Sequence, residues 1–514
     1  MKVFKINSVE YSTEEDITIL DFLKKIGIYI PVLCYHPYLK PVGKCRICVI
    51  KDRGRYRNSC TTKIEHGMDI QTHTPELIEM RKWMIQFLFG ERNHYCMYCP
   101  ITNDCEFQNL GYYTGLDHFH FSTYENIFDT DNSHPYILFD NNRCVLCTRC
   151  IRVCSEIAGH SVLSEKGKGI HSIIVADNGV PLGESSCTSC GLCVQVCPTG
   201  TFVDKISMYQ GRSWETNKFN SFCFSCPVGC GIEVYTRGSN IVKIYSDWNS
   251  FTKGLICYKG RYQAVINYRK NRRRELNSID DVIEKVRNLI DENSVAVVDG
   301  TLFNEELEKI KTTFPKTFTL YEVNPKILQN NIKIDQLENY QTFIISGWDL
   351  DKEYGSLGSI IKRSKLHRNC RVIHLDKEEI QFNPQLTGKA IFIYKNFCPK
   401  QNLNINELEI DELVLPINTN DIGLLKIIGN QSISSESNLN TSNLFVFSRD
   451  LKVINDRFIE KSQRKFLFTY NLNGNTEMFD HVFGIVSEFE TNGSFYNLFN
   501  ELIYLERVFE KEVV

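Results

Sequence analysis

Several things are missing from this sequence. Its 514 residues hold no apolar run of about eighteen, so no helix is expected to span a membrane. The opening MKVFKINSVEYSTEED has no apolar stretch of the kind that marks a secretory leader, and the expected compartment is the cytoplasm. Charge of either sign is not in excess: the formal net charge is −3 with signs mixed, which gives no footprint for nucleic acid. No glycine-rich phosphate-binding loop follows the strand-like runs of the last half, so neither NAD nor a flavin is expected to be held by this chain.

Cysteine is abundant. There are 21, an odd number in a long chain, which argues against a disulfide framework. All but Cys370 and Cys398 fall in metal-type spacings. The central run reads Cys144-x2-Cys147-x2-Cys150-x3-Cys154, then Cys187-x2-Cys190-x2-Cys193-x3-Cys197-Pro198. This is the two-cluster ferredoxin pattern, in which the fourth cysteine of each run serves the other cluster. Cys144, Cys147, Cys150 and Cys197 are expected to hold one [4Fe–4S] cluster, and Cys187, Cys190, Cys193 and Cys154 a second. Zinc sites use paired C-x2-C rather than crossed triplets.

Nearer the N-terminus, a strand at Val3–Ile6 precedes a helix from Thr18 to about Ile26, with Thr18 and Asp21 as a capping-box-like start and Gly27 at its end. Cys34, Cys45, Cys48 and Cys60 follow. The loop between the first two is longer than in plant-type ferredoxins, but the strand–helix–cysteine-loop order predicts a [2Fe–2S] cluster in a β-grasp fold, with zinc as the alternative. A second helix is expected over 74–90, capped by Thr74, with Leu77, Met80, Met84 and Phe87 as its apolar stripe.

Next come Cys96, Cys99 and Cys105, one thiolate short of a cubane. His94 is the nearest imidazole and is expected to be the fourth ligand, with His118 and His120 as competitors. Neutral imidazole in place of thiolate should raise that cluster's potential. The aromatic connector after it, with Tyr112, Tyr113, Phe119, Phe121, Tyr124 and Phe128, is expected to pack around the clusters.

Cys223, Cys226, Cys230 and Cys257 form a fifth set, around a hairpin of Ile232–Tyr235 and Ile241–Tyr245. The basic run Arg269–Arg274 is expected to be a solvated linker. Beyond it, Val295–Asp299, Thr342–Ser346 and Cys370–Leu375 predict buried strands alternating with helices, an α/β layer with a mainly parallel sheet.

The segments PVLCYHPYLKPVGKCRICVI, ERNHYCMYCPITNDCEFQ, CVLCTRCIRVCSEIAG and CTSCGLCVQVCPTG resemble the iron–sulfur module of the large iron–sulfur subunit of respiratory complex I. The same module is shared by diaphorase subunits of NAD-reducing hydrogenases, iron-only hydrogenases and NAD-dependent formate dehydrogenases. Residues 219–261 are similar to the cluster-binding start of the molybdopterin oxidoreductases, 340–376 to that superfamily's second domain and 481–497 to a late segment of it. A formate dehydrogenase needs a cysteine or selenocysteine beside a histidine, and neither Cys370 nor Cys398 supplies that. The large complex I subunit, with a degenerate, pterin-free C-terminal domain, is the best match, although such subunits usually keep a single cubane where this chain has all eight cysteines.

The resemblance implies an α+β multidomain chain. Its parts would be a β-grasp [2Fe–2S] domain over 1–75, a [4Fe–4S] domain with one histidine and three cysteine ligands over 76–133, a two-cluster ferredoxin domain over 134–212, a molybdopterin-oxidoreductase-type [4Fe–4S] domain over 213–268 and a degenerate α/β domain over 269–514. It also implies an electron relay with no substrate site of its own, carrying one [2Fe–2S] and four [4Fe–4S] clusters and no molybdopterin. Electrons would come from a flavin-containing, NADH-oxidising subunit and leave towards a ferredoxin-like [4Fe–4S] subunit and quinone. The relay would lie in the cytoplasmic peripheral arm of an inner-membrane complex and meet the membrane only through partners. The alternative is the electron-transfer subunit of a hydrogenase or formate dehydrogenase. Were the pterin enzyme still active, Lys259 would link cluster to pterin.

Overall fold

In the computed structural model the chain divides into two compact units, Met1–Glu215 and Thr216–Val514. The structure describes all residues except 122–126, 272–276, 322, 347–348, 376–388, 396–409, 417, 431, 434–440, 450–461, 471–475, 477, 486 and 509–514. Tyr124, Cys398 and Arg272–Arg274 lie outside the described residues. Among the described residues no helix is long and apolar enough to cross a membrane.

The first unit opens with a five-stranded sheet. Its strands lie in the order Val9–Thr13, Lys2–Ile6, Asp69–Gln71, Val49–Asp52, Arg55–Asn58. Lys2–Ile6 and Asp69–Gln71 run parallel and the other neighbours antiparallel. The helix Ile19–Lys25 starts where expected, because Thr18 accepts the Asp21 amide and donates to its carboxylate. Its Ile19, Leu20 and Leu23 pack on Phe4, Ile6, Ile50 and Ile70. That core reaches Cys48 and Cys60 and so fixes one side of the cysteine loop.

The helix Pro75–Glu91 is capped by Thr74, but its buried face differs from the expected stripe. Phe87 is half exposed, whereas Leu77, Arg81 and Ile85 are buried. Arg81 can lie inside because its guanidinium donates to the carbonyls of Val49 and Thr72. The short helix Glu106–Tyr113 buries Phe107 and Leu110, which leaves Tyr112 and Tyr113 on its outer face, exposed. The aromatic connector is therefore packed only in part.

Residues 130–204 carry a three-stranded sheet, Phe202–Asp204, Ile137–Asp140, Thr130–Asp131, and a hairpin of Leu163–Lys166 with Ile173–Ala176. The helical turn Arg149–Arg152 continues directly into a π-turn, Val153–Ile157.

The second unit begins with an antiparallel sheet of Asn217–Phe222, Gly231–Arg237 and Asn240–Ser246, the last two forming the expected hairpin. Two wholly parallel sheets follow. One orders Lys316–Thr319, Val295–Val298, Asn443–Phe447, Arg464–Thr469 and His481–Gly484; the other orders Arg371–Leu375, Thr342–Ser346, Ala390–Lys395 and Ile410–Leu415. Helices such as Ile279–Val286, Asn304–Thr313 and Gly355–Arg368 accompany these strands, as β–α alternation requires. Arg269 is no solvated linker residue: it lies near the end of the helix Ala264–Asn271 and donates to the carbonyls of Ile241 and Val242.

Candidate functional site

Cys34, Cys45, Cys48 and Cys60 are all buried. The Cys45 amide donates to the Cys34 sulfur at 3.5 Å, and the Cys48 and Cys60 sulfurs are 3.3 Å apart. Cys34 is held down to about 6, chiefly through its hydrogen bond with Cys45, and Cys48 to about 7 through Cys60. In each pair the partner, Cys45 or Cys60, is pushed up instead, chiefly by the same hydrogen bond.

His94, Cys96, Cys99 and Cys105 line one cavity with Phe89, Phe107 and Arg143. The imidazole meets Phe89 and Phe107 edge-on, at ring separations of 5.5 and 5.1 Å. A hydrogen bond to the Leu88 backbone orients it, while its Nε2 is buried with no hydrogen-bond partner. Burial holds His94 down at about 3, so it is neutral and offers Nε2 as a donor atom. Of the competitors, His118 is paired with Asp117 at the surface, and the His120 ring packs on Trp83; neither lines this cavity. Gly200 closes it from the other side: a Cβ there would lie 2.8 Å from the Cys99 sulfur.

Cys144, Cys147, Cys150 and Cys197 line a second cavity; Cys154, Cys187, Cys190 and Cys193 line a third. Each set draws its fourth cysteine from the other run. Cys154 is delivered by the π-turn, a common device where a helix must present a side chain out of register. Burial pushes Cys105, Cys144, Cys147 and Cys187 up to about 12 and Cys154 to about 11. Thiolates at such positions need a strong positive counter-charge, which bound iron supplies.

In the second unit Cys223, Cys226, Cys230 and Cys257 are buried together, and burial raises Cys223 to about 12. The Cys223 amide donates to the Cys230 carbonyl at 2.7 Å, and Ser356 Oγ lies 3.0 Å from the Cys230 sulfur. Two glycines abut this set: a Cβ at Gly260 would meet the Cys223 sulfur at 2.7 Å, and one at Gly355 the Cys257 Cβ at 2.5 Å. Sequence spacing revealed neither these glycines nor Gly200, because the contact depends on which backbone passes the sulfur. Cys370 does not join the second unit's set; its thiol donates to the Tyr340 carbonyl. Among the described residues no three His, Cys, Asp or Glu donors are arranged to hold a single metal ion.

Beside Cys226 and Lys259 the second unit encloses a cavity of about 690 Å³, lined also by Tyr321, Tyr354, Asp299, Glu353, Glu488 and Arg449. The molybdopterin relationship of the 223–257 set raises the question of a pterin here. Among the described residues the lining does not fit a phosphate-bearing one. Its cations among them are Lys259 and Arg449, and Glu306 already clamps Arg449 with two contacts of 2.7 and 2.6 Å. Three carboxylates face the same space.

Comparison with known proteins follows this layout. Residues 3–75 match the 2Fe-2S iron-sulfur cluster binding domain, 81–120 the NADH-ubiquinone oxidoreductase-G iron-sulfur binding region, 134–203 the ferredoxin-like domain of NADH-quinone oxidoreductase subunit 3, and 216–268 the molybdopterin oxidoreductase Fe4S4 domain. The chain is 30% identical over 259 residues to an NADPH-Fe(3+) oxidoreductase subunit alpha of Geobacter sulfurreducens, covering 50% of this chain and 30% of that protein. It is 29% identical over 262 residues to a G-type NADH-quinone oxidoreductase subunit of Rhizobium meliloti, again 50% of this chain and 30% of the relative. A chain of an NAD+-reducing [NiFe]-hydrogenase crystal structure is 31% identical, with a TM-score of 0.39, over 41% of this chain and 90% of that one. The chain thus spans about a third of the length of these curated relatives. The four matched domains, in this order along residues 3–268, identify it as an iron–sulfur protein related to the G-type subunits of NADH-quinone oxidoreductases.

Proposed function

We propose that this chain is the iron–sulfur relay of an NADH-oxidising complex of the NADH-quinone oxidoreductase kind. The observation that carries this reading is the gathering of the predicted cubane donor sets in the first unit: His94 with its three cysteines, and both crossed sets of the 144–197 region, each around one cavity. When bound, clusters in such cradles carry single electrons between neighbours. The chain's own residues bind them through buried donors, keep water off with Phe89, Phe107, Val145 and Phe202, and fix their relative places through shared packing.

In this reading residues 1–75 form a β-grasp [2Fe–2S] domain that takes electrons from a flavin-containing, NADH-oxidising subunit. They leave through the first unit's cubanes towards a ferredoxin-like [4Fe–4S] subunit. The five domain ranges expected from sequence are part of the proposal, as are a cytoplasmic peripheral-arm location and membrane contact through partners alone. The 223–257 set lies towards a C-terminal domain that holds no pterin, a role supported by the acidic lining of its cavity. The full set of eight cysteines in the 144–197 region supports a second reading, the electron-transfer subunit of a hydrogenase or formate dehydrogenase complex. Relatives include putative formate dehydrogenases of Staphylococcus aureus, 25–26% identical.

The test is anaerobic purification of the native complex through a tag on this chain. Reduction of its EPR-visible clusters by NADH, with quinone reductase activity and no molybdenum or tungsten, is the expected result. Stoichiometric molybdenum or tungsten, or clusters that NADH leaves oxidised, would overturn it.

A further inference from the structure

Arg152 is the last residue of the turn Arg149–Arg152 and is 6% exposed. Its guanidinium donates to three carbonyls: Lys40 O at 2.7 Å, Cys34 O at 2.5 Å and Cys147 O at 3.3 Å. Cys34 belongs to the binuclear donor set and Cys147 to the first crossed cubane set. One side chain therefore holds the backbones of two different cradles. The same cradles share an apolar core, in which Cys34, Cys45 and Cys147 pack with Ile47, Ile85, Phe107 and Val145.

The charge is as informative as the geometry. Arg149, three residues earlier and also buried, is neutralised by a bidentate pair with Glu106 at 2.7 and 2.9 Å. Among the described residues Arg152 has no carboxylate within ion-pair distance. Glu156, one turn on, instead accepts the Lys40 amide at 2.9 Å. A buried cation without an anion is strongly disfavoured. The thiolates of Cys34 and Cys147, residues whose carbonyls it already binds, supply negative charge beside it.

From this we infer that Arg152 is a positioning residue shared by the Cys34/Cys45/Cys48/Cys60 and Cys144/Cys147/Cys150/Cys197 sites. It fixes their separation and raises both potentials with one common positive charge. The inference rests on the relay reading proposed above. The transfer it serves moves one electron from the first site to the second, with no bond made or broken and no proton moved.

The test is the full iron-loaded chain with Arg152→Gln and Arg152→Lys, read by iron content and by EPR-monitored redox titration of both signals. If Arg152→Gln loads fully, both midpoint potentials fall, and Arg152→Lys restores them towards wild type. A shift in only one potential, or in neither, overturns the inference. Should Arg152→Gln not load, loss of both clusters with rescue by lysine supports the shared role. Loss of one cluster alone, or no rescue, refutes it. Failure of the relay reading shows separately, as absence of the two signals from the wild-type chain.

Discussion

Gly200 offers a sharp test of whether Cys99 is a cluster ligand or only a buried thiol. An alanine Cβ there would stand 2.8 Å from the Cys99 sulfur and 3.4 Å from Ile101 Cγ1. Gly200 does not use the left-handed backbone, so alanine is tolerated by the main chain. A free cysteine would answer by leaving its rotamer well, at a cost of about 0.5–1.5 kcal/mol. A sulfur pinned to iron cannot move, and the overpacking, about 1–3 kcal/mol, falls on the site itself. That corresponds to a roughly 5- to 150-fold weaker hold on this one cluster. Gly200→Ala should thus lose about four iron atoms per chain, together with a single EPR signal. Gly260→Ala, whose Cβ meets the Cys223 sulfur at 2.7 Å, should lose a different signal. A Gly200→Ala protein with full iron and an unaltered spectrum would refute the pinning of Cys99.

Other outcomes can be checked alongside. Anaerobic iron analysis of the fully loaded chain should give about eighteen atoms, two from the binuclear site and four from each of four cubanes; a value near fourteen would remove one cubane. His94→Cys should keep a four-iron cluster at lower potential, because a thiolate adds negative charge, and an unchanged redox titration would strike His94 from the ligands. Arg449→Met leaves the largely buried Glu306 carboxylate with only the Phe303 amide and should cost the second unit up to about 3–5 kcal/mol in urea unfolding, whereas a loss below about 1 kcal/mol would show the pair to be idle. His134 is buried, with Nδ1 accepting the Tyr136 and Ile137 amides and Nε2 facing Ser189 Oγ, and burial depresses it to about 4. Its contribution is therefore full above pH 6.5 and lost as pH falls from 6.5 to about 4. His134→Gln should flatten that slope, and parallel wild-type and variant curves would deny it.

Much of the candidate site could be read from spacing, because a cluster's donors must sit on short, tightly turned loops, and that constraint writes itself into intervals such as Cys144-x2-Cys147. Helix starts were legible where a cap has a chemical signature, as at Thr18 and Thr74. Parallel strands such as Val295–Val298 were legible because burial on both faces leaves an unbroken apolar run. The phase of Pro75–Glu91 was not. Hydrophobicity ranks Arg81 as a surface residue, and only the fold reveals the Val49 and Thr72 carbonyls that let it lie inside. Arg152 was hidden for the same reason: two of its acceptors come from a loop more than a hundred residues away in sequence. Gly200, Gly260 and Gly355 were hidden because the absence of a side chain has meaning only once its neighbour is known.

The π-turn at Val153–Ile157 makes this short segment sensitive to reading length rather than to residue type. It accommodates one residue more than an α-helical turn would, and that surplus sets the direction in which Cys154 faces. Removing a single codon between Cys150 and Cys154 would swing Cys154 by about 100° relative to Cys150. Cys154 would then point away from Cys187, Cys190 and Cys193, although every cysteine remained in the gene. Homologous genes that keep both crossed sets should therefore vary in composition across 153–157 but hold its length constant.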